Sequence, residues 1–346
     1  MKKHFSFFRC SLCLMTFVII VAANAQSPSG IHLIKKTVIG GEGGWDYLHV
    51  DAQNRRLYVS HATQVEVLDI DSHKKLGIIP NTSGIHGIFT IPKLNKGFTT
   101  NGKTNTATVF DLKTLKTIAE IPTGKKPDAL LYDGFSGHIF IFNNDGNTAT
   151  VVDVTTNNVA GTIELGGAPE AGVTNNKGLI YVNLEDTHEV VSFDAKTFVI
   201  KNRFKLAPGK EPTGLALDVE TNRLFSVCGN ELMIVLDADN GNVVAQLTIG
   251  KHCDGVVFDP SKKIAISSNG EGTLTLVQEI SSHEFKILET VKTEAGARTI
   301  AIDSKTHHVF LSTANYGETP AATTENPRPR PSIIPGTFSV LEYGRD

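Results

Sequence analysis

The sequence predicts an all-β protein, a seven-bladed β-propeller of four-stranded antiparallel blades. Two periodic columns of residues and one repeated strand–turn pattern carry that prediction. Asp69, Asp111, Asp153, Asp194, Asp237, Gln278 and Glu342 each follow a short apolar strand and, apart from a wider last gap, recur every 41–43 residues. Asp51, Pro92, Asp133, Asn175, Asp218, Asp259 and Asp303 recur every 41–44 residues. A period near 42 falls among propeller repeat lengths. The third unit shows the content of one repeat. Its apolar stretches Ala129 to Tyr132, Ile139 to Phe142, Thr150 to Val154 and Val159 to Leu165 are separated by Gly-, Asn- and Asp-rich turns. One such sheet leaves both faces wet, so seven of them must stack around an axis.

The chain has 346 residues and a formal charge of -3, with 40% hydrophobic and 20% charged residues. That composition excludes a disordered or collagen-like chain. Lys2, Lys3 and Arg9 precede an apolar run from Cys13 to Ala22 and a small-x-small site, Ala23-Asn24-Ala25. We read residues 1–25 as a secretory signal peptide and expect a periplasmic or secreted protein. No later apolar run is long enough to span a bilayer, so no transmembrane segment is expected after cleavage. Cleavage removes three cations and no acid and takes the charge from -3 to -6. An acidic chain of this kind disfavours nucleic acid and anionic lipid as partners. Cys228 and Cys253 remain after cleavage, either as separate thiols or as a bridge.

Residues 26–346 form the single propeller in this reading. The seventh unit ends after three strands, whereas His32 to Ile39 is a strand without a unit. The orphan is expected to complete the last blade and close the ring. Closure hides the edges, so a monomer is expected. Residues 314–336 form an insertion in the seventh unit and include Asn326-Pro327-Arg328-Pro329-Arg330-Pro331. Alternating Pro favours an extended, unpaired chain, either a surface decoration or a lid over the channel.

Arg56-Leu57-Tyr58-Val59-Ser60, Ile180-Tyr181-Val182-Asn183, Val67-Leu68-Asp69 and Gly209-Lys210-Glu211-Pro212-Thr213-Gly214 resemble the YVTN-type propeller repeat. The chain looks like an exported YncE-like seven-bladed protein over nearly all of its mature length. The resemblance implies a fold and an exported location and brings no catalytic residues. Pro92-Lys93 and Gln278 depart from the repeat.

The loop leading into each innermost strand reaches the axis. Aligning the units places Asp46, Gly87, Asp128, Glu170, Thr213, Asp254 and Arg298 on the channel rim, flanked by His86, Lys126, Glu211 and His252. Channel mouths are the usual ligand sites of closed β architectures. The charged rim residues are either solvated turn residues or a site for a polar ligand. No cofactor is predicted, and a divalent metal is possible: the acids are oxygen donors, and His86 and His252 suit zinc or general-base work. Asn101, Asn143, Asn183 and Asn269 recur at one repeat position and read as turn caps. His307-His308 reads as an exposed turn. No short catalytic spacing is assembled. The leading expectation is therefore a binding propeller, without catalysis of its own, that takes a protein partner or small polar ligand at the channel mouth. The alternative is a metal-dependent lyase, hydrolase or lactonase at the same mouth.

Overall fold

A computed structural model describes residues 1–2, 28–321, 323, 329 and 331–346. The signal-peptide reading, apart from Met1 and Lys2, lies outside the described residues, as do 326–328 and 330 of the Pro-rich run. The seven predicted blades are present: six four-stranded sheets occupy 48–79, 85–122, 127–164, 169–205, 212–248 and 253–292, each with its strands in chain order. The seventh sheet takes Ile300–Ile302, Val309–Thr313 and Ser339–Gly344 and adds His32–Val38 as its outer strand. That strand runs antiparallel to Ser339–Gly344, with Leu33 opposite Tyr343 and Val38 opposite Ser339. One blade is thus built from both ends of the chain, as the orphan strand predicts.

Apart from Pro92, Gln278 and Glu342, both sequence columns are turn caps at the bottom of the ring. Asp111 Oδ1 accepts the amides of Lys113 at 2.9 Å and Thr114 at 2.7 Å, and Asp153 accepts those of Thr155 and Thr156 at 2.9 and 2.8 Å. In the other column Asp51, Asp259 and Asp303 each accept an amide two or three residues on, at 2.9–3.0 Å. These bonds satisfy turn donors that no ladder reaches, which is why a short acid recurs there. The two departures have local consequences. Pro92–Leu94 forms a single 3-10 turn, with Pro supplying its φ in place of an Asp cap. At Gln278 the missing cap lets the hairpin run on, and its strands lengthen to Thr273–Ser281 and Glu284–Lys292.

The core lies between blades. Phe140 and Phe142 of the third blade interleave with Val182 and Phe193 of the fourth, all fully buried. The recurring Asn residues are not turn caps. Asn101 donates to Thr106 and Thr108, Asn143 to Thr148 and Thr150, and Asn269 to Thr273 and Thr275, at 2.8–3.1 Å. These three amides are buried in the sheets, where Thr hydroxyls of the next strand satisfy them across the pairing. Asn183, one residue earlier in its strand, instead donates to the Thr213 and Gly214 carbonyls at 2.9 Å. His308 is not an exposed turn residue either: its Nδ1 lies 2.7 Å from Glu342, whose other oxygen is 2.7 Å from His73 of the first blade. Burial raises the Glu342 carboxyl, but the two imidazoles outweigh it and hold it below the usual range.

Cys228 and Cys253 are free thiols, not a bridge. Cys253 Sγ donates to the Cys228 carbonyl oxygen at 3.1 Å, and burial pushes both thiols up to about 12. A thiolate is the reacting species, so neither cysteine is a nucleophile near neutral pH. The mature folded protein is expected to leave Ellman's reagent unreacted at pH 8 and to release two equivalents of thiol once denatured. Fast labelling of the folded protein, or no thiol in the denatured one, contradicts this.

Candidate functional site at the channel mouth

Strand pairing settles which residues are equivalent at the axis. Ile88 pairs with Thr99 as Leu130 pairs with Ile141, two residues after His86 and Asp128 respectively. The rim position of the second blade therefore belongs to His86 and not to Gly87, which lies one step deeper. The sequence alignment slipped there because the first blade joins its second and third strands, ending at His61 and starting at Gln64, by a short turn. That turn is two residues shorter than the Asn101 to Thr106 turn of the second blade, so an even spacing lands on Gly87. The corrected ring is Asp46, His86, Asp128, Glu170, Thr213, Asp254 and Arg298, one side chain from each blade. Six of the seven are ionisable.

Two flanking positions explain how the ring is held. Two residues before it, Lys126, Glu211 and His252 adopt φ of 49°, 51° and 57°, and Gly84 and Gly296 occupy the same left-handed position in their blades. That conformation turns the chain sharply into the inner strand. One residue after the ring, Gly87, Ala129, Ala171, Gly214 and Gly255 line the channel. A Cβ on Gly87 would lie 2.8 Å from the Asp128 carbonyl oxygen, and one on Gly214 would lie 2.7 Å from the Val256 amide. Small residues here let adjacent inner strands close on the axis, which crowds the ring side chains above them. Tyr47 breaks this column. Its ring stands between the mouth and a lower channel cavity of about 310 Å³, lining both.

The mouth is a cavity of about 980 Å³ lined by eight of the nine predicted residues: Asp46, Lys126, Asp128, Glu170, Glu211, His252, Asp254 and Arg298. The ninth, His86, lines an adjoining cavity of about 670 Å³ that shares Asp46, Lys126 and Arg298. Sequence reasoning missed Tyr47 and Glu185, and it left open whether the insertion reaches the site. Thr319, Pro329 and Pro331 of that insertion line the mouth. Its base is tied by a bridge between Tyr316 and Ile333. The only signal for Tyr47 is its bulk in a column that elsewhere holds Gly, Ala and, in the seventh blade, Thr299. Glu185 stands one residue past its strand, where other blades carry Gly102, Asn144, Gly229 and Gly270, and its charge in that column is the signal.

Arg298 and His86 organise one side of the mouth. Arg298 donates from Nε to Asp254 at 2.6 Å and from a terminal nitrogen to the Trp45 carbonyl at 3.2 Å, and it lies 3.5 Å from Asp46. His86 Nδ1 lies 2.5 Å from Asp46 and 3.6 Å from Asp128. Lys126 turns outward to Asn144 at 3.1 Å. Glu170 receives a bond from Asn144 at 2.9 Å and has no cationic partner among the described residues.

The carboxylates outnumber the charges that could balance them, and their proton affinities follow. Burial, then the charges of Asp128 and Asp254, push Glu170 up to about 10. Burial and Asp46 push Asp128 up to about 7. Asp254 reaches about 6, burial and Asp46 being offset in part by Arg298. Burial alone would lower His86, but Asp46 and Asp128 raise it above the usual imidazole value. Like charges held in a partly closed cavity favour uptake of positive charge, as protons or as a bound cation.

Fold and site together define a class: a seven-bladed β-propeller with an acidic channel mouth. Compared with known proteins, the chain matches no family model and no curated relative. No helix among the described residues is long and apolar enough to cross a membrane.

Proposed function

We propose that this is an exported, YncE-like propeller that binds a small, positively charged polar ligand at the channel mouth and does not transform it. The single observation carrying this reading is Glu170, a buried carboxylate facing the mouth with an amide but no cation beside it. A bound cation supplies the charge that Glu170 lacks. The lead-peptide pattern and the YVTN-like repeats support export and family. A second reading, a metal-dependent lyase, hydrolase or lactonase, has one observation in its favour: His86 stands hydrogen-bonded to Asp46 at the mouth, as a general base would.

Trp45 makes the test direct, because it is the one Trp in the chain and its carbonyl bonds Arg298. Its ring lies 6.2 Å from that of Tyr316 at the base of the insertion. Putrescine, arginine, choline and Mn²⁺ are titrated against mature protein while Trp45 fluorescence and heat are followed. At least one is expected to saturate at one site. Glu170→Gln should weaken it about tenfold or more, the scale of one charge-assisted hydrogen bond. If none of the four binds, or if Glu170→Gln binds as well as the parent protein, the reading fails. Turnover of lactones or esters abolished by His86→Gln would favour the second reading.

A further inference from the structure

The first three blades bring a mixed donor set to one side of the mouth. Asp46, His86 and Asp128 each offer one ligand atom, and the three atoms lie within 4.8 Å of one another. All three occupy the same repeat position on consecutive blades, so the ring geometry aims them inward together. His86 Nδ1 is the shared vertex, 2.5 Å from Asp46 Oδ2 and 3.6 Å from Asp128 Oδ1. Neighbouring donors on a metal with bonds of about 2.1 Å stand about 3 Å apart. The two observed separations bracket that value.

Asp128 gives an independent reason. Its side chain is only 8% exposed, and its Oδ1 accepts no hydrogen bond among the described residues. A buried carboxylate oxygen in a native fold is ordinarily satisfied, because leaving it bare costs on the order of 1–3 kcal/mol. The one group it faces is His86, whose Nδ1 is already within bonding distance of Asp46. Neighbouring side chains do not relieve Asp128: Arg298 is engaged by Asp254, and Lys126 by Asn144. What the arrangement lacks is a centre of positive charge between the three donors.

We propose that Asp46, His86 and Asp128 form a binding site for a divalent transition-metal ion, with its remaining coordination positions open to the mouth. The proposal rests on the reading of the mouth as a cation-binding site and specifies one occupant. One imidazole nitrogen with two carboxylate oxygens suits Mn²⁺, Fe²⁺ or Zn²⁺ better than Ca²⁺, which takes an all-oxygen shell. Glu170 and Asp254 lie outside the triad, held by Asn144 and Arg298 respectively.

The test uses the full mature chain, stripped with chelator and dialysed, and titrates Mn²⁺ by electron paramagnetic resonance and Zn²⁺ by calorimetry. One equivalent per chain is expected. Asp128→Asn and His86→Gln should each weaken it about a hundredfold or more. Asp145→Asn, which removes an exposed acid from the same rim, should leave it within about twofold. The melting temperature of metal-free Asp128→Asn should be no lower than that of the parent protein, since it keeps the shape and loses a like charge, so lost binding is not lost folding. No stoichiometric metal, or binding that survives both substitutions, overturns the site. If the metal fails while an organic cation still binds in a Glu170-dependent way, this inference alone falls. If every cation fails, the reading of the mouth falls with it.

Discussion

Deleting His32 to Gly40 is expected to lower the melting temperature by about 10 °C or more and to promote association of the unfolding protein. The strand is mostly exposed, so little of its effect comes from apolar burial. Its contribution is closure. It pairs along most of Ser339–Gly344, and Lys36 bonds Glu294 of the sixth blade at 2.7 Å while Thr37 bonds His73 of the first at 2.7 Å. Removing it releases some six backbone bonds, each contributing about 0.5–1.5 kcal/mol. It also bares Ser339–Gly344 as an edge ready to pair with another chain. The last blade would then be held to the first chiefly by side chains. A melting curve that matches the parent protein would contradict closure by the outer strand.

Phe140→Ala should destabilise the protein by about 3–5 kcal/mol, visible as a lower denaturant midpoint with an unchanged slope. Phe140 is fully buried, with its ring 5.3 Å from that of Phe193 and 6.3 Å from that of Phe198, both on the fourth blade. Truncation leaves a cavity between two twisted sheets whose strands are tied within each blade and cannot collapse inward. The same contact sets the spacing of the third and fourth blades, and therefore of Asp128 and Glu170 at the mouth. A loss below about 1 kcal/mol would mean that the blades are held mainly by other contacts.

The bottom of the ring was more legible in the sequence than the top. Asp111, Asp153 and Asp259 repeat because every blade needs the same turn, and a requirement repeated seven times becomes a period. The mouth carries no such period. His86, Glu170 and Arg298 differ in type at one structural position, so only the strand register shows them to be equivalent. The short turn between His61 and Gln64 in the first blade broke the even spacing, which is why Gly87 stood where His86 belongs.

Chain chemistry alone determined the number of blades, their four-strand content, the closure by the N-terminal strand and the set of polar residues near the axis. These follow from local hydrogen-bonding needs and hydrophobic periodicity, which are written residue by residue. Tertiary structure decided the rest. It buried Asp128 without a hydrogen bond for its Oδ1, paired Arg298 with Asp254, kept Cys228 and Cys253 as thiols, and brought Tyr47, Pro329 and Pro331 to the lining of the mouth. Each of these depends on distances between blades far apart in the chain, and such distances are set by how seven sheets pack around one axis.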